Sequence, residues 1–209
     1  MKRMLELERV RTRIATDLHD DIGSNLTQIS ILSEVIRRRL GSEAEEIVEP
    51  LVRIAELSRE LVDSMSDIVW AVNPKRDHVG DLVQRMRHFA SEILTARNVA
   101  LDFRCPDTNQ GAELRTDTRR QIFLIFKEGL NNVVRHSECR RVSIQLAAEK
   151  GHVRLTLRDD GKGFDTTQTN GNQGHGLRNM SDRARSLNAA FKLESRPGSG
   201  TTVDLLVPI

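Results

Sequence analysis

From Val10 onward the apolar residues fall at Ile14, Leu18, Ile22, Leu26, Ile29, Leu32 or Ser33, Ile36 and Leu40. Steps of three and four place them on one stripe of a helix. Gly41 and Ser42 interrupt the pattern, with Ser42 as candidate N-cap and Glu45 three residues on, as in a capping box. A second pattern follows at Ile47, Leu51, Ile54, Ser58, Leu61, Met65, Ile68 and Val72, with steps alternating between four and three, which is a heptad seam. Pro50 is tolerated near the first turn, and Asn73-Pro74 ends the helix. Two antiparallel helices with one narrow seam each cannot close a core alone. Pairing with a second copy into a four-helix bundle is therefore the expectation.

After residues 74–77 the texture changes. Residues 77–97 read as a helix (Leu82, Met86, Phe89, Ile93, Leu94), and Val99, Leu101 and Phe103 alternate as a strand does. Residues 116–136 read as a helix burying Ile122, Phe126, Leu130 and Val133. Val142-Ile144-Leu146 and Val153-Leu155-Leu157 alternate across an expected turn at Ala147–His152. A helix over 176–188 and strands at Phe191-Leu193 and Val203-Leu205-Val207 complete the chain. The expected fold class is α+β: an antiparallel helical hairpin at 1–73, then an α/β sandwich with a mixed sheet at 77–209. The polar segment between Phe164 and His175 reads as a mobile loop.

Charge narrows the partners. With 32 basic against 30 acidic side chains the net charge is only +2, which argues against direct nucleic-acid binding. The pairs Arg119-Arg120 and Arg140-Arg141 and the run Arg37-Arg38-Arg39 read as solvated faces or helix ends. Cys105 and Cys139 lack metal or redox spacing and read as reduced thiols in a cytoplasmic setting. No apolar stretch approaches the ~18–20 residues of a membrane span. The first residues nevertheless resemble a helix interior without an N-cap, so a longer protein with an N-terminal sensor region, membrane-bound only through that region, is expected. His78, His88 and His152 read as surface residues, and Trp70 as bundle core.

Candidate chemistry clusters in three places. On the 116–136 helix, Glu128, Asn132 and Arg135 fall within roughly 60° of one another, opposite the apolar face. An Asn or Glu oxygen suits magnesium, and Arg135 suits phosphate. Asp159, Gly161 and Gly163 follow a strand; the glycines admit a ligand close to the backbone, and the Asp can accept from an exocyclic amine. Gly174, Gly176 and Leu177 open a helix whose free N–H groups favour phosphate, with His175 between the glycines, and Gly198, Gly200 and Thr201 follow. Separately, His19 stands beside Asp20 in a long helix, where a carboxylate can fix the imidazole tautomer or draw off a proton.

In this order the motifs of residues 77–209 resemble the ATP-binding domain shared by type II DNA topoisomerases, heat-shock chaperones, MutL and the two-component histidine kinases. The resemblance implies Asn132, with Glu128, as magnesium ligands and Asp159 as reader of the adenine amine. It makes Gly161, Gly163, Gly174 and Gly176 the glycine boxes, and Arg135 and His136 phosphate-facing positions. The segment from Ile14 to Leu26 resembles the H-box of the histidine kinase subfamily whose His is followed by Asp, which signals to regulators with LuxR/NarL-type DNA-binding domains. The implied cofactors are ATP and Mg²⁺, and the implied partners are a second copy of the chain and a response regulator receiver domain. Many such kinases carry Gln or His five residues after the phosphoacceptor to position water; here the position is Ser24, which implies weak phosphatase activity. Two alternatives stand beside this reading: an ATP hydrolase in which Glu128 activates water, and a non-catalytic, dimeric ATP-binding adaptor.

Overall fold

The computed structural model describes residues 22, 24–40, 45–72, 78–105, 113–149, 151–166 and 175–209. The chain divides into two compact units, Met1–Arg76 and Asp77–Ile209. In the first, α1 (Ser24–Leu40) and α2 (Glu45–Val72) form the hairpin. Its inner face is lined by small residues: Ser30, Ser33, Ala55 and Ser58 are buried. The Ser30 hydroxyl donates to the Ala55 carbonyl at 3.4 Å and accepts from Arg59 Nε at 3.2 Å. Ser33 returns its hydroxyl to the Ile29 carbonyl at 2.8 Å. Ile29, Leu32, Ile36, Ile54 and Leu61 remain 43–59 % exposed. The expected stripes therefore split, their serines facing the neighbouring helix and their large aliphatics left uncovered by it. Trp70 is buried, as its apolar body demands.

The second unit is built on a five-stranded sheet in the order β1-β2-β3-β5-β4. Its strands are β1 (Ala100–Arg104), β2 (Arg141–Glu149), β3 (His152–Asp159), β4 (Ala190–Ser195) and β5 (Thr201–Pro208). β1 runs parallel to β2 and every other pairing is antiparallel, so the sheet is mixed as expected. Period-two alternation sends Val142, Ile144, Leu146, Val153, Leu155, Leu157, Val203, Leu205 and Val207 into the core. The opposite face is polar; there Thr156 donates to Asp204 at 3.0 Å. The helices α3 (Val79–Thr95), α4 (Thr116–Asn132) and α5 (His175–Ser186) supply the other layer. α3 buries Val79, Leu82, Val83, Met86, Ala90 and Leu94, and α4 buries Ile122, Phe123, Phe126 and Leu130. Phe89, Phe123 and Phe126 meet at centroid distances of 5.9–6.1 Å.

Three expectations are corrected. β2 does not turn at Ala147: the ladder continues to the Glu149–His152 pair, and Gly151 takes φ +79° in the turn. Alanine's weak strand preference hid the extension, although Ala148 is buried. Arg119 is no surface cation; it is fully buried. It shares the three-and-four spacing of Ile122 and Phe126, and its long apolar stem lets a guanidinium follow that stripe inward. Finally, the helix expected over 116–136 changes winding: α4 ends at Asn132 and a π-helical turn, Val133–Ser137, continues it. Among the described residues no helix is long and apolar enough to cross a membrane.

Candidate active site

β3 ends on Asp159, only 2 % exposed. Its Oδ1 accepts the Gly161 N–H at 2.8 Å, and the Thr201 N–H also donates to the carboxylate. Burial pushes the Asp159 carboxyl up, the two N–H donors oppose that, and the neighbouring Asp160 charge adds to the rise. The turn that follows is squeezed from both sides. A Cβ on Gly161 would lie 2.2 Å from the Ser137 carbonyl oxygen, so no larger residue fits. A Cβ on Gly163, at φ +58°, would lie 2.1 Å from the Arg196 carbonyl oxygen, and the Gly198 N–H donates to the Lys162 carbonyl at 2.7 Å. Ser195 locks the far side, accepting the Phe164 N–H at 2.9 Å and donating to the Gly200 carbonyl at 3.0 Å.

These turns, the π turn and the start of α5 enclose a cavity of about 350 Å³. Val133, Leu157, Met180, Leu193 and Val203 form an apolar lining, against which Asn132, His136, Asp159, Lys162 and Thr201 supply polar groups. Apolar walls with a few convergent polar atoms are the build of a small-molecule site, and a buried carboxylate fits an amine-bearing ring. Among the described residues no three His, Cys, Asp or Glu side chains gather as a metal cluster. A magnesium ion carried with phosphates needs only one or two protein oxygens, and the Asn132 amide on the wall fits that role.

Of the residues singled out in the sequence, Asn132, His136, Asp159, Gly163, Gly176, Leu177 and Thr201 share the cavity wall. Gly161 stands behind it, wedged against Ser137. Glu128 is absent from the lining and instead packs on α5, where its Oε1 occupies the space a Gly176 Cβ would need. Arg135 is exposed and also off the wall. The π turn accounts for that: a wider turn advances fewer degrees per residue, so the residue four beyond Asn132, not three, returns beside it. His136 gains the position that α-helical winding would have shared with Arg135. His19, Asp20, Ser42 and Gly174 lie outside the described residues, as do the side chains of Ser24 and His175.

Several wall residues carried no sequence signal. Ser137 and Lys162 are ordinary polar residues until the Lys162 N–H meets the Ser137 carbonyl at 2.8 Å. Met180 was hidden inside a mostly polar helix, though its burial follows from the three-residue step after Leu177. Lys162 also pairs with Glu138 at 2.7 Å on the exposed rim, and that bond holds the Glu138 carboxyl below its usual range.

Two family models match the chain. One, described as "Histidine kinase", covers residues 10–78. The other, described as "Histidine kinase-, DNA gyrase B-, and HSP90-like ATPase", covers residues 117–209. The second unit is thus an ATPase domain of that superfamily, with the cavity formed by residues the model spans. The chain belongs to the histidine kinases. It is 25 % identical over 201 residues to sensor histidine kinase LiaS of Bacillus subtilis, covering 95 % of this chain and 54 % of the relative. It is 28 % identical over 208 residues to UhpB of Salmonella typhimurium, named a signal transduction histidine-protein kinase/phosphatase, covering 98 % and 40 %. The chain spans about half the length of the curated relatives it matches. The fold is that of the histidine kinase domain of the Erythrobacter litoralis EL346 blue-light activated kinase (TM-score 0.56, 17 % identity, 88 % of this chain and 94 % of that one). It is likewise that of full-length ShkA in complex with AMPPNP (TM-score 0.58, 13 % identity, 96 % and 45 %).

Proposed function

We propose that this chain transfers the γ-phosphoryl group of ATP to a ring nitrogen of His19 and then to an Asp of a response regulator receiver domain. The observation that carries the reading is Asp159: a buried carboxylate, braced by the Gly161 and Thr201 N–H groups, on the wall of a mainly apolar cavity that also holds Asn132 and His136. Asp159 accepts from the adenine amine, the apolar wall takes the ring, and Thr201, His136 and the start of α5 at Gly176 and Leu177 serve the phosphate chain. Asn132 holds Mg²⁺; the ion when bound neutralises phosphate charge. In the transfer a P–N bond to His19 forms as the bond from the γ-phosphorus to ADP breaks, and Asp20 takes the ring proton or fixes the tautomer. Alignment and charge neutralisation supply most of the acceleration.

The uncovered aliphatics of α1 and α2 support a homodimeric four-helix bundle. The histidine kinase match over residues 10–78 and the His19-Asp20 pair support a regulator of the LuxR/NarL class. The need for ATP supports a cytoplasmic reaction. Glu128, packed on Gly176 and off the cavity wall, supports the kinase over a hydrolase in which it would activate water.

The test is incubation with radiolabelled ATP and magnesium. The label should stay on the protein and be acid-labile and alkali-stable, as a phosphoramidate is. His19→Gln should abolish it while Mg-ATP affinity is unchanged, because the two sites belong to different units. Alkali-stable label persisting in that variant refutes the assignment.

A further inference from the structure

Residues 137–141 leave the π turn for β2, residues 159–162 leave β3, and hydrogen bonds strap the two segments together. The Asp160 Oδ1 accepts the N–H groups of Arg140 and Arg141, each at 2.9 Å. The Asp160 N–H in turn donates to the Arg141 carbonyl at 3.3 Å. Asp160 itself is exposed and lines no part of the cavity. Its carboxyl is nevertheless held below the usual range, first by the Arg141 N–H and then, against some desolvation, by that of Arg140. Two donors converging on one oxygen favour the charged form.

We propose that Asp160 is a positioning residue that sets the spacing between the base-reading Asp159 and the phosphate-side Asn132 and His136. The proposal rests on reading the cavity as the nucleotide site. Asp159 is fixed without help from Asp160, by the N–H groups of Gly161 and Thr201. Asn132 borders the π turn and His136 lies within it, and the chain leaving that turn is anchored by Asp160 through Arg140 and Arg141. Losing the carboxylate therefore leaves the base end in place and loosens the phosphate end, which keeps the Lys162 N–H to Ser137 carbonyl bond and the Asp160 N–H to Arg141 carbonyl bond across the joint. A residue that merely caps the start of β2 would act otherwise, lowering stability and weakening every ligand alike.

The experiment is calorimetry of the whole chain with adenosine and with Mg-ATP, alongside thermal unfolding, for wild type, Asp160→Ala and Asp160→Asn. Asp160→Ala should bind adenosine as wild type does and Mg-ATP on the order of tenfold more weakly, the equivalent of one lost charge-assisted hydrogen bond. Asp160→Asn keeps an oxygen acceptor and should recover most of that loss. Should the alanine variant not fold, Asp160→Ser, whose hydroxyl reaches at most one of the two N–H groups, should show the same selective loss at reduced size. Equal losses for both ligands, or no loss for Mg-ATP, overturn the proposal. A wild type that binds neither ligand overturns the nucleotide reading itself.

Discussion

Asp159 is costly to keep where it is. Its carboxyl is raised by burial, so the native state holds a proton more tightly than the unfolded chain does. With a raised folded pKa, stability falls as pH climbs from the unfolded carboxylate range through the folded value, and the deficit persists above it. Asp159→Asn should therefore melt at or above the wild-type temperature at neutral pH, with the gap closing on acidification. The same variant should lose about 1.5–3 kcal/mol of ATP affinity, the range for a hydrogen bond to a charged group. Calorimetry and pH-resolved melting measure both; a variant both less stable and equally tight in binding contradicts the account. Asn132→Ala separates the other end of the site: it should abolish labelling but leave adenosine binding intact. Asp159 and the glycines were legible because few residue types serve a buried acceptor or a turn this tight. Asp160, Ser137 and Lys162 were not, since nothing in a polar residue's identity tells which distant backbone group it will meet.

At the scale of elements, the strands and helices followed from apolar period, and two of the three errors fell where one element hands over to the next. Ala147 and Ala148 carry too little side chain to advertise a strand, so β2 read short. The change from α to π winding at Val133 leaves the composition untouched, yet it puts His136 on the cavity and Arg135 outside it. Arg119 lay on the apolar stripe all along, and only its charge disguised it. The joint between the π turn and β3 is the part most exposed to a small change, because Gly161 presses on the Ser137 carbonyl. Gly161→Ala should force these segments apart and break the Lys162–Ser137 bond, at about 1–3 kcal/mol as for other overpacked sites. Mg-ATP binding should fall with it, although Gly161 lines none of the cavity. Unchanged melting and unchanged affinity would show that the joint yields freely.

For the molecule as a whole, the uncovered apolar surface of the hairpin sets the question of assembly. Ile29, Leu32, Ile36, Ile54 and Leu61 are each about half exposed, so covering one is worth roughly 1 kcal/mol, half the value for full burial of such a side chain. Ten of them from two copies give about 10 kcal/mol, within the roughly 4–15 kcal/mol that association costs in lost freedom. The described residues thus bring a dimer to the edge of stability, and two buried charges per copy are enough to remove it. The double variant Ile54→Glu, Leu61→Glu should sediment as a monomer at micromolar concentration where the wild type should sediment as a dimer. Its affinity for Mg-ATP should not change, because the whole cavity lining lies between Gly129 and Val203, inside the second unit. A variant that remains dimeric would place the interface elsewhere than on these stripes, and a variant that loses nucleotide binding would show that the second unit depends on the first.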